Sequence, residues 1–282
     1  MKLILGTVQF GLNYGISNSN GVPNDAELKS ILAKAKSSEI NMLDTANAYG
    51  NAEERLGLWA DDQFKIVTKF SNVTSEKQLE IQLENSLEKL NTAKIYGYLA
   101  HNADLLIENP KLWTFLEKAK ANNKIQKVGY SLYHPEQLQQ LLTLGCLPDL
   151  VQLPYSILDR KFETDLTVLK ELGVEIHVRS VFLQGLYFMR LEQLPAKLQS
   201  LKPALALLKT YCDRQQVSVA QLALNFVVAN PQIDKVVVGV ETAEQLRTNL
   251  DMIANWQPND KLFSEVSTIE VQDKTLLNPA NW

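Results

Sequence analysis

The chain has 282 residues, 45% of them apolar and 21% charged, with a formal net charge of −4. That is the balance of a water-soluble globular protein large enough for one barrel-sized domain or two ordinary ones. The charge excludes nucleic acid as the main partner, because no basic stripe is present to displace counterions. No apolar run reaches the ~20 residues of a membrane span, and "MKLILGTVQFG" is too short in its apolar part for a signal peptide, so cytoplasm is the expected compartment.

In chain order, short apolar runs alternate with helical patterns. "LILGT" (3–7) precedes a helix over 24–38, where Asn24 or Asp25 stands as cap and Leu28, Ile31, Leu32 and Ala35 recur at helical spacing. Strand patterns follow at 41–45, 64–69, 95–101, 127–131, 149–155, 175–181 and 235–240, with amphipathic stretches at 74–90, 110–122, 134–144, 161–172, 203–214 and 218–229. Strands alternating with helices imply parallel pairing. Eight such units fit a closed (β/α)8 TIM barrel with little chain left over. A doubly wound sheet fits less well, because no GxGxxG follows the first strand. No linker or low-complexity tract divides the chain, so a single domain over 1–282 is expected.

Two classes of chemistry recede. Cys146 and Cys212 form no CxxC pair and sit among apolar residues, which predicts core packing. His101, His134 and His177 have no metal-binding spacing, so no metal site is expected.

In a barrel of this class the chemistry lies at the C-terminal ends of the strands. Those ends carry Asp44, Lys69, His101, Ser131 and Gln152, and "LDTANAYGNAEERLG" (43–57) adds Tyr49 five residues after Asp44. Taken alone, Asp44 could equally be a helix cap. Together, Asp44, Tyr49, Lys69 and His101 form a constellation on three consecutive units. A phenol is a poor acid near neutrality unless a cation supports its phenolate. Lys69 can be that cation, Asp44 can hold it, and His101 can orient a substrate oxygen. A proton donor beside a carbonyl is half of carbonyl reduction. The other half is a hydride, which side chains cannot supply, so a nicotinamide is implied.

The sequence resembles an aldo-keto reductase over essentially its whole length. The resemblance is carried by "LGTVQFG", "LDTANAYGNAEERLG", "IVTKF", "YGYLAHNAD", "KVGYSLY", "VQLPYSILDR" and "VRSVFLQGL". It implies a catalytic tetrad of Asp44, Tyr49, Lys69 and His101 with Tyr49 as the acid. It also implies that Ser131 and Gln152 hold the nicotinamide carboxamide and that Thr7 and Asp44 lie along its ribose. "VVVGVETAEQLRTN" (236–249) then supplies the phosphate-side loop, with Gly239, Glu241, Gln245 and Asn249 toward the adenosine.

The family pattern is not followed everywhere. Leu132 replaces the usual Asn after the strand-five Ser. Strand seven offers Arg179, followed by Ser180, where an aromatic normally stacks on the nicotinamide. A guanidinium can stack too, but a cationic ring beside it is unfavourable. Glu241 stands where many relatives carry Lys or Arg. NADP(H) is therefore the family expectation, and NAD(H) an alternative raised by Glu241, with Gln245 and Arg247 as possible compensation. Only Met1 and Lys2 precede the first strand, so the relatives' N-terminal plug hairpin is expected to be lacking. Trp282 is a candidate substrate wall or ordinary packing. The expected partner is a small aldehyde, ketone or sugar-derived carbonyl substrate; no oligomeric state is specified. A slow regulatory nicotinamide-binding module and a lyase or epimerase using nicotinamide transiently are the alternatives.

Overall fold

Eight parallel strands close on themselves in sequence order: β1 (Leu3–Gly6), β2 (Met42–Asp44), β3 (Lys65–Phe70), β4 (Ile95–Ala100), β5 (Ile125–Ser131), β6 (Leu150–Pro154), β7 (Glu175–Arg179) and β8 (Lys235–Gly239). Closure is made by β8 on β1, from Leu3 opposite Val236 to Gly6 opposite Gly239. The computed structural model describes residues 1–16, 18 and 20–282. The expected (β/α)8 barrel is present. Met1 and Lys2 are the residues ahead of β1, and the Lys2 ammonium donates to the carbonyls of Val228 and Asn230.

The helices follow the predicted pattern with ends moved by a residue or two. Asn24 caps Asp25–Ser37 by accepting from the Glu27 amide, and the apolar stripe Leu28, Ile31, Leu32 and Ala35 is buried. Ser75, Ser218 and Thr242 cap Glu76–Lys89, Val219–Ala229 and Ala243–Ala254 in the same way. The sequence pattern does not show the three 3-10 segments between Leu183 and Leu201, nor the C-terminal helix Asp260–Ser267. Several strands are shorter than expected: β1 stops at Gly6 and β4 at Ala100, so Thr7 and His101 are the first residues beyond them.

Strand alternation decides what faces inward. On β7, Ile176 and Val178 join the outer core under the helices, so Glu175, His177 and Arg179 share the opposite, inner face. The inner core is small: Ile4, Met42, Val67, Leu99 and Leu150, with Tyr96 and Val237 against it. Below it lies a polar layer. Glu175 accepts from Tyr96 at 2.7 Å, lies 2.7 Å from His177 Nε2, and pairs with Lys127. Burial would raise the Glu175 carboxyl, but these three partners hold it well below the usual carboxylate range.

Candidate active site

The top of the inner face opens into a cavity of about 780 Å³. Thr7, Asp44, Tyr49, His101, Ser131, Gln152, Arg179, Ser180, Gly239, Glu241, Gln245 and Asn249 all line it. Lys69 does not line it. It lies beneath, fully buried, and acts on the cavity through Asp44.

Asp44 is the last residue of β2 and is not a helix cap. Its Oδ1 accepts from Lys69 at 2.6 Å and its Oδ2 from the Gln152 amide at 2.7 Å. Lys69 also donates to the Thr45 carbonyl at 2.8 Å, and the Thr7 hydroxyl donates to the Asp44 carbonyl at 3.0 Å. The pair is taken out of water with its remaining bonding capacity met by polar neighbours, the condition under which a buried ion pair is tolerated.

Tyr49 is set by the turn that follows. The Asn47 amide donates to the Lys69 carbonyl and the Tyr49 amide to Ala46, after which Ala52–Trp59 begins. Gly11 packs against this turn so closely that a Cβ there would fall 1.9 Å from the Tyr49 carbonyl. Gly50 carries the left-handed φ of 58° that turns the chain away from Tyr49. Across the cavity, the Tyr49 and His101 rings meet edge-on at 5.6 Å, and the Lys69 ammonium lies 5.3 Å from the Tyr49 ring centroid.

The electrostatics correct one expectation. Lys69 was expected to depress the Tyr49 phenol, yet the phenol is pushed well above its ordinary range, first by burial and then by the Asp44 carboxylate, with Arg179 opposing. The ammonium is already matched by Asp44 at 2.6 Å. Tyr49 therefore rests as a neutral phenol. His101 is driven down to about 4 by burial, with Lys69 and Arg179 adding to it, so near neutrality it is an uncharged imidazole.

Toward β8, a Cβ on Gly239 would fall 2.5 Å from Gln9 Oε1, and this buried oxygen has no hydrogen-bond partner among the described residues. An orphan acceptor, a glycine-shaped cradle and the start of a 12-residue helix lie along one elongated cavity. These features fit the extended dinucleotide that the site residues suggest. The first amides of that helix are already engaged: Ala243 donates to the Glu27 carboxylate at 2.7 Å and Gln245 to the Thr242 hydroxyl at 3.1 Å. Glu241 accepts from Asn20 at 3.1 Å and Gln245 at 3.0 Å, and Glu244 also lines the cavity. Arg247, raised as possible compensation, is paired with Glu244 and Asp251 and is not among the residues that line the cavity.

The two family departures meet. Leu132 is buried in the outer core and presents only its carbonyl, which accepts from Arg179 at 3.0 Å. The guanidinium carbon lies 4.4 Å from the Tyr133 ring centroid. Trp282 is not among the lining residues; its indole donates to the Leu276 carbonyl and packs on the core. Gln9, Tyr133, Gln184 and Glu244 line the cavity without having been singled out from sequence. Of these, Gln9 carries a local signal, as a polar residue two positions after Thr7.

A neutral phenol, a neutral imidazole and a buried Asp–Lys pair at the mouth of a parallel barrel define the class: a TIM-barrel oxidoreductase. The model of the Aldo/keto reductase family matches residues 2–270, and the chain belongs to that family of nicotinamide-dependent carbonyl reductases. It is 25% identical to the L-glyceraldehyde 3-phosphate reductase of Escherichia coli K12, over 94% of this chain and 88% of that protein. It is 24% identical to the NADH-specific methylglyoxal reductase of the same organism, over 75% and 78%. The solved aldo-keto reductase AKR11C1 from Bacillus halodurans (holo form) superposes with a TM-score of 0.79 at 21% identity, covering 95% of this chain and 91% of that one.

Proposed function

We propose that the chain, as a single barrel domain over 1–282, reduces a small aldehyde or ketone in the cytoplasm with Tyr49 as proton donor and with NAD(H) preferred over NADP(H). The observation that carries the reaction is the pairing of a neutral Tyr49 with a neutral His101 above the buried Asp44–Lys69 pair. A nicotinamide bound along this cavity would supply the hydride for the carbonyl carbon, the two-electron reduction that side chains cannot provide. His101 holds the carbonyl oxygen, and Tyr49 gives that oxygen its proton. Arg179, which opposes the upward push on the phenol, is the cation that faces the charge left on the phenolic oxygen. Gln152, its amide held by Asp44, keeps its carbonyl for a ligand amide, with Ser131 beside it.

Cofactor preference rests on the acidic adenosine end. Glu241 and Glu244 line it, Glu27 already occupies the helix start, and no lysine or arginine lines that end among the described residues. A 2′-phosphate meets like charge there, whereas ribose hydroxyls meet acceptors. The buried free cysteines Cys146 and Cys212 suit a reducing compartment.

The test is consumption of NADH and NADPH with a panel of small aldehydes, for wild type and Tyr49→Phe. The variant is expected to lose about 10²–10⁴-fold in kcat with cofactor binding nearly unchanged. Retention of more than about half the activity removes Tyr49 from the role.

A further inference from the structure

Among the described residues, the catalytic end of the cavity holds one charge without a counterion. Arg179 ends β7 on the inner face, half-buried, with its two hydrogen bonds going to neutral acceptors: the Leu132 carbonyl at 3.0 Å and the Ser180 hydroxyl at 3.3 Å. No carboxylate pairs with it among the described residues. Asp44 is taken by Lys69, Glu244 by Arg247, and Glu241 accepts from Asn20 and Gln245. A guanidinium has five N–H donors, so a fork of donors remains for a ligand.

The group is also held still. It lies over the Tyr133 ring at 4.4 Å, and Tyr133 and His101 together wall a smaller side cavity. Ser180, which follows Arg179, has a φ of 64°, and Leu183, Gln184 and Gly185 are also left-handed. Backbone held in this region by a non-glycine residue is a mark of a functional constraint. A half-buried, immobilised and unmatched cation does little for folding, since desolvating a charge without a partner is unfavourable.

We infer that Arg179 is a specificity-determining residue that receives an oxyanion of the substrate, a carboxylate or phosphate a few bonds from the reacting carbonyl. The inference rests on the reductase reading of the same site. It also accounts for the departure at strand seven: a cation that is unfavourable next to an oxidised nicotinamide is offset when the substrate between them is anionic. Planar N–H pairs match carboxylate and phosphate geometry in two-point contacts.

The test compares glyoxylate with glycolaldehyde, and glyceraldehyde 3-phosphate with glyceraldehyde, for wild type, Arg179→Gln and Arg179→Lys with NADH at one ionic strength. The ratio of kcat/KM for the anionic over the neutral member is expected to fall about ten-fold or more in Arg179→Gln. Arg179→Lys is expected to recover part of it, and the pair with the larger change separates carboxylate from phosphate. Equal losses on both members of each pair overturn the inference and make Arg179 a support for the cofactor or the loop. Independently, oxamate and inorganic phosphate are titrated calorimetrically into the NADH-loaded protein. Saturable binding of at least one, weakened about ten-fold or more in Arg179→Gln, is expected. Binding of neither, or binding that the variant does not change, overturns the anion site. Anion binding that depends on Arg179, with none of the four carbonyl compounds reduced, overturns the reductase reading and leaves the anion site standing.

Discussion

Glu241 and His101 show how single side chains set the cavity's preferences. Glu241 lines the adenosine end with a carboxylate held by Asn20 and Gln245. Glu241→Arg is expected to tighten NADPH relative to NADH by about ten-fold or more, because a like charge is replaced by a charge-assisted partner. Dissociation constants for both cofactors, taken at one ionic strength, check this; equal shifts mean that the carboxylate only favours the helix start. His101 has its pKa lowered from 6.5 to about 4 by burial and by Lys69 and Arg179. The neutral imidazole is the competent form, so reduction should stay level as pH falls through 6.5 and decline only near 4. An acid limb centred near 6.5 in kcat/KM, absent from His101→Gln, contradicts this. The same group links to stability with a definite sign. Between pH 6.5 and 4 the unfolded chain binds the extra proton, so this contribution is complete above 6.5 and lost as pH falls through that window.

At the scale of elements, β2 and β3 are joined by side chains as well as by their backbone ladder. Lys69→Met leaves Asp44 buried without its cation, and breaking such a pair is typically worth about 3–5 kcal/mol. Denaturant melts should show that loss in the single variant and much of it recovered in Asp44→Asn/Lys69→Met, while reduction stays low in both. Recovery of activity along with stability would reduce the pair to scaffolding. The contact between the one-turn helix Val8–Gly11 and the Tyr49 turn is a backbone contact. Gly11→Ala introduces a Cβ 1.9 Å from the Tyr49 carbonyl, and backbone cannot yield as a flexible side chain would. The expected result is a variant whose kcat falls because Tyr49 is displaced; unchanged kcat shows that the turn relaxes without moving the phenol.

At the scale of the molecule, the cavity runs from His101 beyond β4 to Asn249 on the helix after β8, so one ligand ties together opposite sides of the barrel mouth. Two residues after β1 make contacts at the rim: the Ile16 amide donates to the Gln184 carbonyl at 3.1 Å, and the Asn20 side chain donates to Glu241. A ligand that binds only the folded state stabilises by about 2.7 kcal/mol at one hundred times its Kd. NADH at that excess should therefore raise the melting temperature by several degrees, roughly 2–4 °C per kcal/mol for chains near this size. NADPH at the same concentration should raise it less. The opposite order would return the cofactor preference to the family expectation.

Sequence alone determined the barrel and the residues gathered at its mouth. Strands buried on both faces read as apolar runs, capped helices read as periodic stripes, and a parallel barrel sends its strand ends to one rim whatever its loops do. Thus Asp44, Tyr49, His101, Ser131 and Gln152 could be placed at one cavity before any distance was known. Only the tertiary structure decided where charges are matched. Lys69 lies under the cavity with its ammonium held by Asp44, Glu27 reaches the start of a helix 216 residues away to accept from Ala243, and Arg247 turns outward to Glu244 and Asp251. Among the described residues, Arg179 alone of the cavity's charged groups has no ionic or Asn/Gln side-chain partner, because the buried Leu132 offers it a carbonyl and Tyr133 a ring. Such matches depend on distances between residues far apart in the chain. Local periodicity carries the placement of a backbone but not the partner of a side chain.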